Sequence, residues 1–506
     1  MKTTPSFHLL IPLSNSNNDS CKTIFSSFVL GYPAPTLINW GRPSEAGRIP
    51  RDESHTAKIS GIFDFLKDSA KVKDNDLVLI VDGYDVWFQL PAEILVERYH
   101  ELVKEANERL RRRYGMAQGD ASEEASPNRV PMYTQSIVFG ADKICWPNPQ
   151  EDPACAAVPY STLPKAVFGP HTDQDPQAFL NRPRYLNSGT IMGPVKTVRE
   201  LFENAVHKVD NGKGALGDQF VLAEILGEQE FQRETLRRDG QGTSERWLDW
   251  LSKALGTSDS PLSANVTFKN LTAIPGKRYE FSIGLDYESR LFQTMTHSAN
   301  DIDFIVYNSS LSTHPPPHSS LPLVLPPELQ TAKLPLSYAS PGNHTAETEH
   351  SGKKTLLLPY SPNLDTLPDP QEITWRNLPL ATNIRAATIP ALLHINGDKS
   401  LLATWWPRMW YHPYARALLR RSIRSTQTHT AAAAAARGGL NWWDERGGRG
   451  GVWTGNGEWM PWDEVCRGVE EEVLGDGKGV WGKEEGDGRV RNSWGRIIIG
   501  EEDEGG

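Results

Sequence analysis

The sequence predicts an α/β fold built on a mainly parallel sheet flanked by helices. Residues 7–310 alternate short apolar runs with segments of helical periodicity, the pattern of strands joined by helical crossovers. The most apolar run, "LVLIVDGYDVWFQLP" at 77–91, ends on two aspartates three apart. In an open α/β sheet the carboxyl ends of the strands face the ligand crevice. A long charged amphipathic helix, "PAEILVERYHELVKEANERLRRR", follows directly, as a crossover would.

In chain order, "FHLLIPL" is the first predicted strand. "SHTAKISGIFDFLKDSA" spaces Ile59, Ile62, Phe63, Phe65 and Leu66 at helical intervals after a candidate cap at Ser54. "DLVLIVDGYDVWF" is predicted as one strand, Pro91 as the first helical position of the long helix, and "SIVFGADKICWP" as a strand with a turn after it. These elements make residues 7–308 the core of one domain. From 309 to 382 the composition shifts to Pro, Ser, Thr and His ("STHPPPHSSLPLVLPPEL"), an insertion or linker whose composition cannot supply a packed core. "AATIPALLHINGD" returns to strand character, so 383–425 is expected to complete the domain. Residues 426–506 carry an alanine run, a Gly/Trp-rich stretch and an acidic end, a low-complexity tail expected to be partly disordered. The chain contains no evident internal repeat.

The 53 Lys and Arg against 63 Asp and Glu leave a formal charge of -10, which removes any global attraction to nucleic acid or anionic lipid. No apolar run approaches the roughly 20 residues of a membrane span. Cys21, Cys145, Cys155 and Cys466 include no CxxC pair, so neither a zinc ribbon nor a thioredoxin motif is supported, and their redox state stays open. Asn-x-Ser/Thr sequons at Asn18, Asn265, Asn270, Asn308 and Asn343 suit a secretory lumen. Met1 leads almost at once into a predicted strand with no signal-peptide pattern, which is expected to reflect either a real absence or a truncated start.

Asp82 and Asp85 stand where an α/β sheet usually does its chemistry. Two hard carboxylates suit Mg²⁺ or Mn²⁺, which can bridge them to a diphosphate. The plainer alternative is a turn-capping acid followed by a solvated one. A phosphohydrolase with an aspartyl nucleophile also places Asp after an apolar strand, but its second Asp falls two residues on, where this chain has Tyr84.

Seven segments in order, "HTAKISGIFDFL", "VDGYDVWF", "VFGADKICWP", "RPRYLNSGTIMGP", "GDQFVLAEI", "IGLDYESRLFQTM" and "LLHINGDK", resemble the glycosyltransferase domain of the procollagen lysyl hydroxylases and, more distantly, the collagen galactosyltransferases. The resemblance spans residues 8–310 and 383–400. It implies a GT-A type, Rossmann-like domain, a UDP-sugar donor (UDP-glucose or UDP-galactose), Mn²⁺ or Mg²⁺, a hydroxyl acceptor on protein or glycan, and residence in the secretory pathway. Asp82, Asp85 and His394 fall on the family's metal ligands. Lys58, Tyr84 and Lys399 fall at the donor, although "HINGDK" is one residue shorter than the family's loop. Trp146, Asn187, Ser188 and Gly189 fall on the sugar and acceptor side, with core burial the alternative for Trp146. Asp218 ends the family's acidic run, where a carboxylate could orient the acceptor or stabilise an oxocarbenium-like transition state. Gly217 replaces the preceding acid, which keeps a catalytically weakened sugar-nucleotide or glycan binder as an alternative. Nothing resembles the hydroxylase's iron-binding His-x-Asp with a later His, so a stand-alone transferase is expected.

Overall fold

The computed structural model describes residues 5–42, 51–117, 130–213, 217–242, 247, 276–308, 322–335, 348–350, 353–355, 361–369, 372–424 and 450–484. The first half runs β1 (Phe7–Pro12), α1 (Asn18–Val29), β2 (Thr36–Ile38), α2 (Arg51–Leu66), β3 (Leu77–Val81), β4 (Val86–Phe88) and α3 (Ala92–Tyr114). It continues with β5 (Ile137–Asp142), α4 (Pro153–Ala156), β6 (Tyr185–Pro194), α5 (Val195–Lys208) and α6 (Gly217–Asp239). Short strands follow: β7 (Ile283–Asp286), β8 (Phe292–Thr294), β9 (Ile302–Ile305), β10 (Thr348–His350), β11 (Lys353–Thr355), β12 (Leu380–Asn383), β13 (Leu392–His394), β14 (Gly451–Thr454) and β15 (Trp459–Pro461).

Eight strands form the central sheet in the order β15-β14-β2-β1-β3-β6-β5-β7. The ladders β14–β2, β2–β1, β1–β3 and β5–β7 are parallel. β6 runs antiparallel to both β3 and β5, and β15 antiparallel to β14. With β6 reversed between them, the carboxyl ends of β3 and β5 meet the start of β6 at one edge of the sheet. Burial on both faces explains the unbroken apolar run in β3. Leu77, Leu79 and Val81 join a cluster with α1 and α3, while Val78 and Ile80 join one with α2, α5 and α6.

The predicted strand through "DLVLIVDGYDVWF" breaks in two. β3 stays in the central sheet, whereas β4 crosses into a second sheet of order β4-β13-β8. The turn between them passes close to the end of β1: a Cβ at Gly83 would lie 2.9 Å from Leu13 Cδ1 and 3.0 Å from Pro12 O. A side chain there would push the acidic turn off the strand ends. Helix α2 starts before Ser54, which therefore does not cap it, and Pro91 precedes the first helical residue of α3.

The structure adds to two compositional expectations. β14 and β15 extend the central sheet beside β2, Trp459 and Trp462 are fully buried, and Cys466 forms a disulfide with Cys21 of α1. Residues 450–484 are thus part of the fold. In the Pro/Ser-rich region Leu323, Leu325, Leu329, Leu334 and Trp375 pack into the larger core cluster, and β12 pairs with β9. Short leucine and tryptophan groups clip onto a core that other elements build, which an averaged composition conceals. A second disulfide joins Cys145 and Cys155. No described helix is long and apolar enough to cross a membrane. Of the sequons, Asn18 opens α1 and Asn308 is exposed; Asn265, Asn270 and Asn343 lie outside the described residues.

Trp462 packs edge-on against Phe25 and Phe28 of α1. Replacing it with Ala is expected to cost about 3–5 kcal/mol, the usual price of emptying an aromatic site in a core. Urea unfolding at unchanged m-value measures this; a loss below about 1 kcal/mol would mean that the segment only rests on the surface.

Candidate metal centre

Asp82 and Asp85 occupy the turn between β3 and β4. His394 ends β13, where it pairs antiparallel with Val86 of β4 and parallel with Thr294 of β8. This register delivers a residue more than 300 positions away to the acids. Ile395 N donates to Asp85 O at 2.7 Å and Asp82 N to Gly189 O at 2.9 Å, so the turn is tied to both β13 and β6.

His394 Nε2 lies 3.4 Å from Asp85 Oδ1 and 3.7 Å from Asp82 Oδ2. The opposite oxygens carry lysines: Lys58 Nζ sits 2.6 Å from Asp82 Oδ1, and Lys399 Nζ 2.5 Å from Asp85 Oδ2. Each carboxylate thus holds a lysine with one oxygen and turns the other toward the imidazole. One donor atom from each of the three residues lies within 4.8 Å of the others.

The other face of His394 fixes its tautomer. Asn187 Nδ2 donates to Asp142 Oδ2 at 2.9 Å, which orients the amide. Asn187 Oδ1 then accepts from Gly189 N at 3.0 Å and faces His394 Nδ1 at 2.9 Å. An amide oxygen only accepts, so Nδ1 carries the proton and Nε2 faces the acids. Two carboxylate oxygens around that nitrogen call for a cation among them, a proton or a metal ion. A carboxylate pair with one imidazole is a donor set open to a divalent metal ion, and such acidic groups also occur without one.

The electrostatics agree. Burial pushes His394 down, but Asp85, Asp82 and Asp142 outweigh it and raise the imidazole above its ordinary value. Burial would raise Asp85, yet His394 and Lys399 hold it well below the usual carboxylate range. Asp142 is raised by burial, despite donors from Asn187, Thr294 and Asn396. Lys58 loses solvation by burial, but Asp218 and Asp82 more than restore its charge and raise it.

The structure brings Lys58, Asp82, Asp85, Ser188, Asp218, His394 and Lys399 into one network. Lys58 Nζ also contacts Ser188 O at 3.1 Å and Asp218 Oδ2 at 2.7 Å. Asp218, in the first turn of α6, therefore reaches Asp82 through one shared ammonium. Tyr84 is partly exposed, its hydroxyl donating to Asn15 Oδ1 at 2.9 Å; burial raises its pKa. Trp146 is 66% exposed, which excludes the core-burial alternative.

Two of these residues have partners that the sequence does not show. The Asn187 amide is engaged by His394, Gly189 and Asp142, so it positions the histidine. The space beside Gly189 belongs to His394, because a Cβ there would lie 2.1 Å from the imidazole Cε1. Ser188 is buried, its backbone N–H donating to Gln219 Oε1 at 2.7 Å.

Sequence reasoning passed over Asp142, Asn396 and Gln219. Asn396 Nδ2 donates to Asp142 Oδ1 at 3.1 Å while its Oδ1 accepts from Met295 N at 2.7 Å. Asp142 closes the strand "IVFGAD" and obeys the same acid-after-strand rule as Asp82, so it carried a usable signal. Gln219 clips α6 to β6, and no local pattern marks it. The chain matches no protein-family model and no curated protein.

Removing the Asn187 amide frees the imidazole to rotate. Asn187→Ala is expected to weaken Mn²⁺ binding by about 10–100-fold, the usual effect of losing a partner that orients a metal-ligating histidine. Calorimetric titration with Mn²⁺ measures it, and unchanged affinity would remove Asn187 from the centre.

Proposed function

We propose that this chain is a divalent-metal-dependent glycosyltransferase of GT-A type. It would move a hexose from UDP-glucose or UDP-galactose to a hydroxyl on a protein or glycan. The observation that supports this best is the convergence of Asp82, Asp85 and His394 at the carboxyl end of a central strand, each with one donor atom turned to the same point. Asp82, Asp85 and His394 would hold Mn²⁺ or Mg²⁺. When bound, the ion supplies Lewis-acid neutralisation of the charge that develops on a diphosphate leaving group.

The chain's own residues supply the rest. Lys399, on the exposed side of Asp85 with its side chain 55% accessible, offers a cation to the diphosphate. Tyr84 presents a ring to the uracil, braced by its bond to Asn15. Asp218 orients the acceptor hydroxyl or stabilises positive charge at the anomeric carbon. Lys58 holds Asp218 and Asp82 at a set separation, so that acceptor and donor groups are pre-positioned. The two disulfides are compatible with an oxidising compartment, and together with the sequons they support residence in the secretory lumen.

A second reading, a weakened sugar-nucleotide binder, draws on one observation. The single carboxylate left beside Gly217 is already ion-paired to Lys58 through Oδ2, so one of its two oxygens is committed. The phosphohydrolase reading loses ground, because both candidate nucleophiles are engaged by lysines and Tyr84 stands where its second Asp would be.

Asp82→Ala and Asp85→Ala are each expected to abolish Mn²⁺-dependent UDP affinity, measured by calorimetry with and without chelator. Undiminished affinity in both would overturn the metal assignment. Asp218→Asn is expected to lower UDP-sugar turnover by about 10²–10⁴-fold with UDP affinity near wild type. Normal turnover would exclude Asp218 from the reaction. A fall in turnover that only tracks a lower melting temperature would assign it to structure.

A further inference from the structure

A cleft of about 400 Å³ lies between β9, the 3₁₀ turn at Trp375–Asn377 and residues 407–414. That volume falls within the about 300–1,000 Å³ of small-ligand sites. The walls come from three separate stretches, "IDFIVY" at 302–307, "ITWRNLPL" at 373–380 and "WWPRMWYHPY" at 405–414, so no local pattern announces them. Leu378, Met409 and Trp410 form a buried apolar part of the lining. Trp410 is fixed in place: its indole N–H donates to Gln89 O at 2.9 Å, and its ring meets Trp375 edge-on at 5.3 Å.

Among the described residues that line the cleft, Arg408 alone carries a charge. Its guanidinium lies 4.1 Å from the centroid of Phe304, another lining residue, with the Trp405 ring at 5.9 Å. Phe304 and Trp405 meet edge to face at 5.6 Å, so the cation rests in a corner of two rings. Asp303 Oδ1 is 3.8 Å from Arg408 Nη2, with side chains 60% and 47% exposed. That separation exceeds a hydrogen bond, and so exposed a pair contributes little. Among the described residues the guanidinium donates no hydrogen bond. Its fork of N–H groups is held by stacking and faces no acceptor at hydrogen-bond distance.

We propose that this cleft binds a small aromatic carboxylate, with its ring among the apolar walls and its carboxylate on Arg408. Phe304, Trp410 and Tyr414 offer ring partners to an aromatic body. A planar guanidinium matches a carboxylate with two parallel hydrogen bonds. Asp303 beside it opposes a dianion, so one negative charge suits the site better than a phosphate monoester. An aromatic side chain of a peptide would fill the walls but bring no anion to Arg408. The site is independent of the transferase reading, because none of its lining residues belongs to the metal centre.

Indole-3-acetate, its uncharged analogue indole-3-acetamide and phenyl phosphate test the site on the full chain without metal or nucleotide. Saturation-transfer NMR detects contact, and calorimetry gives the affinities. Indole-3-acetate is expected to bind at least about 10-fold more tightly than the amide, the effect of a charge-assisted hydrogen bond. Arg408→Gln should remove that advantage and leave the amide's affinity unchanged, whereas Tyr414→Ala should weaken acid and amide alike. Arg408→Lys should recover only part of the loss, since an ammonium lacks the fork. The melting temperature should not change in Arg408→Gln, because the side chain is about half exposed. No transfer to indole-3-acetate, equal affinity for acid and amide, acid binding untouched by Arg408→Gln, or tighter binding of phenyl phosphate would overturn the proposal. The acid–amide comparison uses the unaltered chain, so it decides the matter even where a variant does not fold.

Discussion

The contact of the His394 imidazole with Gly189 is the constraint on which the centre depends. A methyl group at position 189 would occupy the imidazole's place, so β6 must pass bare beneath the ring. That closeness lets Asn187, two residues earlier on β6, reach Nδ1 and turn Nε2 to the acids. It also requires β13 to end at that point, which its pairing with β4 and β8 secures. The reversed β6 thus acts as the floor of the centre. Asp82 bonds to its backbone, and Gln219 joins it to α6, bringing Asp218 within reach of Lys58.

Charge is arranged with the same economy. Four carboxylates, Asp82, Asp85, Asp142 and Asp218, surround Lys58, Lys399 and His394 in a mostly buried volume. Unpaired, such groups would be costly to bury; here each carboxylate is met by a lysine, the histidine or amide donors. The arrangement holds one donor atom each of Asp82, Asp85 and His394 within 4.8 Å of the others.

Much of this was legible in the sequence because strand ends announce themselves. An apolar run closing on acids points to the carboxyl end of a strand, and Asp82 and Asp85 do follow the end of β3. The ordered segments that resemble a known family point to His394, Lys58, Asp218 and Lys399, and the structure brings these four side chains together. Contacts between distant elements were not legible. Asn187 reads as a residue of the sugar side until its partners are known, and the space beside Gly189 is filled by His394. Composition misled at 450–484 for a related reason: its tryptophans are few against many glycines, yet Trp459 and Trp462 are spent wholly on the core.

The central claim is that Asp82, Asp85 and His394 bind one divalent ion, with His394 coordinating through Nε2. Pulsed electron paramagnetic resonance on the Mn²⁺-loaded protein tests this directly. One histidine ¹⁴N coupling to the manganese is expected, absent in His394→Gln and weakened or heterogeneous in Asn187→Ala. A manganese bound through oxygen ligands alone, or a nitrogen coupling that persists in His394→Gln, would contradict it.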